Sequence, residues 1–171
     1  MIRPVYTVLA GLLLAAIIVA SVRLAGGGDH YDGPEARSYA VSDNAMADVD
    51  AALSRAARNG KRVLLVMGAN WCHDSRALAG RLGEGRLKAL ANERYELVFV
   101  NVGMPQEGDG HNLAIARRFG LDDLPGTPNV LVLSPDGKLL NADSATGWRN
   151  AASRSEAEIY AELERLAGDN A

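Results

Sequence analysis

The single cysteine of this 171-residue chain, Cys72, stands in the stretch GANWCHDSR (residues 68–76), after Trp71 and before His73, Asp74 and Ser75. A thiol, an imidazole, a carboxylate and a hydroxyl in so short a run offer a nucleophile, an acid–base group or metal ligands. Adjacent residues at a helix start point in different directions, so Cys72, His73 and Asp74 do not form a nucleophilic triad. Nor do His30, His73 and His111 combine with Cys72 at a recognisable ligand spacing, so neither a metal nor a cofactor is expected. One cysteine cannot make an intrachain disulfide. The thiol is therefore either inert and buried, as free cysteines often are, or kept for its chemistry.

That chemistry depends on position. If a helix opens at Cys72, unpaired backbone N–H groups and the positive end of the helix dipole meet at the sulfur. Thiol pKa values at such termini fall from about 8.5 into the range of roughly 3.5–7.5. Protonated His73 would stabilise the sulfur anion, while Asp74 would repel it and also suits a first helical turn. Ser75 can donate its O–H to a thiolate but has no redox chemistry. Thiol–disulfide exchange passes through a mixed disulfide that a second thiol must release. Here that thiol has to come from outside the chain.

The surrounding pattern supplies the elements. Met46, Val49, Leu53 and Ala56 recur at helical spacing between Ser42 or Asp43, as cap, and Gly60, as stop. RVLLVM (62–67) is an apolar run of the kind found in a strand covered on both faces, and it leads into Trp71 and Cys72. Leu78 with Leu82, then Leu87 with Leu90, mark two helical pieces, followed by the β-prone YELVFVNV (95–102). MPQEGDG (104–110) reads as a polar, glycine-rich loop, and Leu113, Ala116 and Phe119 as a short helix beginning near His111. A third strand is expected over 129–133. The turn SPDG (134–137) should return the chain through 138–141 as an antiparallel neighbour. Ser155 and Glu158 are spaced as a capping box before Ile159, Leu163 and Leu166. Such alternation predicts an α/β sandwich with helices on both sides of a central sheet.

The amino terminus differs in composition. VYTVLAGLLLAAIIVASV (5–22) is uncharged and flanked by Arg3 and Arg23, and about eighteen residues at a helical rise cover roughly 27 Å, close to a bilayer's hydrocarbon thickness. Residues 1–25 are read as a membrane anchor, with a cleaved signal peptide as the alternative; either places the folded part outside the cytoplasm, on the periplasmic or extracellular side. Residues 26–41, with Gly, one Pro and charge but no hydrophobic periodicity, read as a flexible linker, and 42–171 as one domain. A net charge of −3 with scattered Lys and Arg excludes a nucleic-acid partner.

A β-run ending in Trp-Cys-x-x-(Cys or Ser), followed by a helix and later by Thr-Pro entering a strand, resembles the thioredoxin family. The similarity is carried by VLLVMGANWCHDSR (63–76) and GTPNVLVLSPDGKLL (126–140), and spans roughly residues 42–167. It implies a three-layer thioredoxin-like sandwich with a mixed central sheet, Cys72 as the attacking cysteine and Pro128 as a cis-proline beside it. Thr127 would then present its backbone to an extended substrate, with Trp71 alongside. Ser75 replaces the family's second cysteine, and Val66 stands where many members hold a buried acid. Pro128 follows Cys72 by 56 residues (128 − 72), more than in a minimal member, with the surplus assigned to the 103–110 loop.

The resulting expectation is monothiol exchange: Cys72 attacks, His73 and Ser75 tune it, and Trp71, Thr127 and Pro128 hold the target. The partner would be a cysteine-containing protein or a small thiol such as glutathione. The alternative is a non-catalytic module presenting the groove at Trp71 and Pro128 to a protein. Trp148 and Arg149 could line that face or pack the last helix.

Overall fold

The computed structural model describes residues 31–168. The expected anchor and the first part of the linker lie outside the described residues. Among those described, no helix is long and apolar enough to cross a membrane.

Helix α1 (Ala45–Asn59) is followed by strand β1 (Arg62–Gly68), helices α2 (His73–Leu82) and α3 (Gly85–Arg94), and strand β2 (Tyr95–Asn101). A small hairpin, β3 (Gly103–Met104) and β4 (Asp109–Gly110), leads to α4 (Leu113–Arg118), β5 (Asn129–Leu133) and α5 (Glu156–Ala167). β1 is central: it runs parallel to β2 and antiparallel to β5, giving the mixed order β2-β1-β5. Its side chains alternate between two cores. Leu64 and Val66 pack with α2, α3 and α5, whereas Val63, Leu65 and Met67 pack with α1 and α4. A strand buried on both faces has no polar side to alternate with, which is why RVLLVM is continuous.

Helix ends follow local chemistry. Asn44 caps α1, its Oδ1 accepting the Ala47 N–H at 3.0 Å, so the helix starts later than Ser42 or Asp43 would have it. Ser42 is engaged elsewhere, with Asp48. Gly60 ends α1 in the left-handed conformation. At α5 the capping box between Ser155 and Glu158 forms as expected.

Three expectations change or are refined. The chain does return through 138–141 antiparallel to β5, in a short pairing: one bridge, Leu133 with Leu139, and two backbone hydrogen bonds, Ser134 N–H to the Lys138 carbonyl and Leu140 N–H to the Val132 carbonyl, each at 2.9 Å. A side chain completes the edge of β5 beyond that pairing: Asn141 accepts the Val132 N–H and donates to the Val130 carbonyl, each at 2.9 Å. The Val130 N–H is satisfied by the Ala145 carbonyl, so the pairing need not extend further along β5. The 104–110 loop is a hairpin joined by a 3-10 turn, Pro105–Glu107, with Gly108 in the left-handed region.

The third change concerns the second half of the linker, which is docked rather than free. Tyr39 is 1% exposed, Ala36 N–H donates to the Arg76 carbonyl, and Tyr31 N–H donates to the Ala152 carbonyl. The Tyr39 ring meets Phe99 edge-on at 5.3 Å. Gly80 makes the approach possible, since a Cβ there would lie 2.0 Å from the Pro34 carbonyl oxygen. Composition signals flexibility only when nothing nearby can be buried, and Tyr39 supplies an aromatic ring to bury.

Candidate functional site

β1 ends at Gly68, and the chain turns through Ala69, Asn70 and Trp71 into α2, with the Cys72 N–H bonded to the Ala69 carbonyl at 3.2 Å. Cys72 is the N-cap of α2 in extended conformation, so its sulfur stands at the helix's positive end. The residue is 8% exposed, recessed rather than open. Its Sγ donates to the Thr127 carbonyl oxygen at 3.4 Å, and the Thr127–Pro128 bond is cis. Two segments 55 residues apart thus meet at the sulfur. Thr127 is itself buried, and its Oγ1 has no hydrogen-bond partner among the described residues.

Trp71 projects outward, 47% exposed, and its indole Nε1 donates to the Gly103 carbonyl at 3.0 Å. The hairpin that follows β2 is therefore tied to the rim of the site. Beyond Thr127, Arg149 lies over Gly126, where an added Cβ would come within 2.8 Å of the Arg149 Cδ. Trp148 belongs to the core instead, with Arg154 stacked 4.4 Å from its ring centroid.

Ser75 is placed differently from the expectation that it supports the thiolate. It is fully buried, and its Oγ accepts the Ala69 N–H at 3.3 Å rather than pairing with the sulfur. One turn into a helix, a short side chain reaches back to the preceding loop, and Gly68 leaves it room: a Cβ there would lie 2.7 Å from Ser75 Oγ. Asp74 accepts the Ala152 N–H at 2.8 Å and so anchors the α2 start to the later loop. Val66 is buried in apolar core, with no carboxyl beneath the thiol.

His73 points outward with half of its side chain exposed, and its Nδ1 lies 2.5 Å from Glu35 Oε1. The other oxygen of Glu35 accepts from Arg76 Nε. Arg76 Nη1 also donates to the carbonyls of Asn70, at 3.0 Å, and Trp71, at 2.8 Å, clamping the turn that carries Cys72. Hydrogen bonding from Arg76, joined by that from His73 and opposed by partial desolvation, holds the Glu35 carboxyl below the usual carboxylate range. On the other side of the turn, Asn70 accepts the Tyr39 N–H at 3.2 Å and donates to the Tyr39 carbonyl at 2.9 Å. Tyr39 O–H donates to the Ser75 carbonyl at 3.1 Å. Burial pushes this phenol far above its ordinary range; the Ser75 hydrogen bond works against that shift, and the charge of Cys72 adds to it.

The structure thus brings Cys72 against Thr127 and its cis bond to Pro128, with Trp71 exposed on the preceding turn, and directs His73 outward to Glu35. Sequence reasoning missed Glu35, Tyr39, Asn70 and Arg76. The only signal for Tyr39 was an aromatic ring, one of two with Tyr31, in a polar stretch, and nothing in the spacing links Glu35 to a helix some forty residues later. Among the described residues no three His, Cys, Asp or Glu side chains are grouped to hold a metal ion.

A family described as thioredoxin-like matches residues 44–135. The crystal structure of a disulphide isomerase from Xylella fastidiosa Temecula1 superposes with a TM-score of 0.67 at 31% identity, covering 78% of this chain and 100% of that one. A protein named probable nucleoredoxin 3, from Oryza sativa subsp. japonica, is 29% identical over 100 residues, 50% of this chain. The chain spans only 21% of that relative's length.

Proposed function

Because the chain belongs to the thioredoxin-like family, we propose that it carries out thiol–disulfide exchange by a monothiol route through Cys72. The observation that carries this reading is the sulfur at the start of α2, against the Thr127 carbonyl and next to the cis Thr127–Pro128 bond. The disulphide isomerase and nucleoredoxin likenesses favour the same class of chemistry.

In the proposed reaction the Cys72 thiolate attacks a disulfide R–S–S–R′, forming Cys72–S–S–R and expelling R′–S⁻. A thiolate R″–S⁻ from outside the chain then attacks that bond, regenerates Cys72–S⁻ and releases R–S–S–R″. No net electrons are consumed. Cys72 rearranges partners, because Ser75 cannot act as a second sulfur. Trp71 and the edge at Thr127 and Pro128 would hold the segment bearing the target sulfur, with His73 handling protons at the mouth. The partner is a cysteine-containing protein or a small thiol such as glutathione, met outside the cytoplasm if residues 5–22 anchor the chain in a membrane.

The test is incubation with glutathione disulfide followed by intact-mass measurement. A glutathione adduct is expected on the wild-type chain, none on Cys72→Ala, and less accumulation on Ser75→Cys, where a second thiol can release it. An unmodified Cys72 in the native chain at pH 8 would sink the reading. The recessed sulfur favours one alternative, a non-catalytic module that presents Trp71 and Pro128 to a protein. A partner retained after Cys72→Ala would select that alternative.

A further inference from the structure

The hairpin formed by β3 and β4 occupies the stretch that lengthens the path from Cys72 to Pro128, and no step of the exchange uses it. Its first residue nevertheless touches the site, the Gly103 carbonyl accepting the Trp71 indole N–H at 3.0 Å. Gly103 is placed from three sides. Val102 N–H donates to the Gly68 carbonyl at 2.9 Å, tying the end of β2 to the start of the turn that carries Trp71. The Gly103 N–H goes to Asn101 Oδ1 at 2.9 Å, and Gly103 pairs with Gly110 across the hairpin. Its φ is +60°, and a Cβ on it would lie 2.5 Å from the Asp109 carbonyl oxygen and 2.7 Å from His111 Cδ2. Both the left-handed backbone and the close approach therefore require glycine. The backbone at Trp71 is fixed separately, its carbonyl accepting from Arg76 Nη1 at 2.8 Å. What that leaves free is the ring, and the Gly103 carbonyl takes the ring's one donor.

We propose that Gly103 is a positioning residue of the Cys72 site: through its carbonyl the hairpin over 103–110 fixes the orientation of the Trp71 ring on the residue before the thiol. The use of that ring in holding a target rests on the exchange reading. An indole bound in this way has no N–H left to give a target. It offers its face instead, which suits an apolar or cationic group flanking the target sulfur rather than a hydrogen-bond acceptor.

The test uses the full chain. The first readout is the water-exchange rate of the Trp71 indole N–H by NMR, with Trp148, the other of the two tryptophans and buried in the core, reporting the fold in the same spectrum. Gly103→Ala should speed the Trp71 exchange about fivefold, the loss of one ordinary hydrogen bond, and leave Trp148 protected. The second readout is the rate at which Cys72 takes up glutathione from glutathione disulfide, divided by its alkylation rate with iodoacetamide, a reagent too small to need the ring. That ratio should fall about fivefold in Gly103→Ala and in Trp71→Phe, which keeps an aromatic face but has no N–H, and no further in the two together. A disturbed sulfur slows both reagents and leaves the ratio as it is. An unchanged Trp71 exchange, an unchanged ratio, or additive losses in the double variant overturn the assignment. If Gly103→Ala unfolds, as read from Trp148, the ratio in Trp71→Phe decides alone. If glutathione disulfide leaves the wild-type chain unmodified, the exchange reading falls, and the indole exchange in Gly103→Ala still decides whether the hairpin holds Trp71.

Discussion

Replacing Tyr39 with alanine tests whether the segment before α1 is a tether or part of the folded unit. The ring is 1% exposed and sits in the core with Leu64, Leu78 and Trp148. Truncating a buried aromatic to alanine costs about 3–5 kcal/mol, through lost transfer energy and the cavity left behind. Within that total, the edge-on contact with Phe99 contributes about 0.5–1.5 kcal/mol and the hydrogen bond to the Ser75 carbonyl about 1 kcal/mol. Tyr39→Phe should therefore cost about 1 kcal/mol and Tyr39→Ala at least about 3 kcal/mol. With a urea dependence of about 2 kcal/mol per molar, the alanine variant's unfolding midpoint falls by roughly 1.5–2.5 M. Urea melts followed by circular dichroism measure this directly. A Tyr39→Ala chain within about 0.5 kcal/mol of wild type, the range of an ordinary surface change, would refute docking of residues 31–41.

Alkaline pH should weaken the fold through two phenols. Burial is the main cause raising both Tyr39 and Tyr95 above their ordinary value, so each binds its proton more tightly folded than unfolded. Their contribution is complete below about pH 10 and declines above it by about 1.4 kcal/mol per pH unit for each phenol. Denaturant midpoints read from pH 8 to pH 12 should show this, and Tyr39→Phe should about halve the slope; an unchanged slope would exclude Tyr39 as a source. Asn141→Ala leaves the Val132 N–H and Val130 carbonyl without their side-chain partner and should cost about 2–5 kcal/mol, also measured by urea unfolding. Gly80→Ala should lift the Pro34 segment and speed tryptic cleavage after Arg37 about tenfold, the effect of about 1.4 kcal/mol less docking energy. Unchanged cleavage would mean that this close approach does not hold the segment down.

How much was legible follows from the distance over which each signal acts. RVLLVM, the repeats of Leu in α2, α3 and α5, and the Ser155–Glu158 box are local, and each element forms where its period or cap predicts. The order of these elements, with Trp71-Cys72 after one strand and Thr127-Pro128 before another, carried the family resemblance. The antiparallel return through 138–141 was legible from its turn, but the shortness of its pairing was not, because periodicity cannot tell a backbone partner from an amide side chain that offers the same donor and acceptor, as Asn141 does at β5. Ser75 was assigned to the sulfur as a hydroxyl in place of a second cysteine; the fold adds a contact that spacing does not show, its Oγ accepting the Ala69 N–H.

By itself the sequence determined that one thiol stands at a helix start after a buried strand, that no second sulfur can resolve a mixed disulfide, and that the fold is a helix-covered sheet. These depend on residue identity and on spacing within a few turns. Only the tertiary structure decided what surrounds the sulfur: the Thr127 carbonyl against Sγ, the Gly103 carbonyl on Trp71, and the Glu35 carboxylate joining His73 to Arg76. Those contacts join segments 32 to 55 residues apart. They are chosen by how the sheet and helices pack together, and no local pattern records that choice.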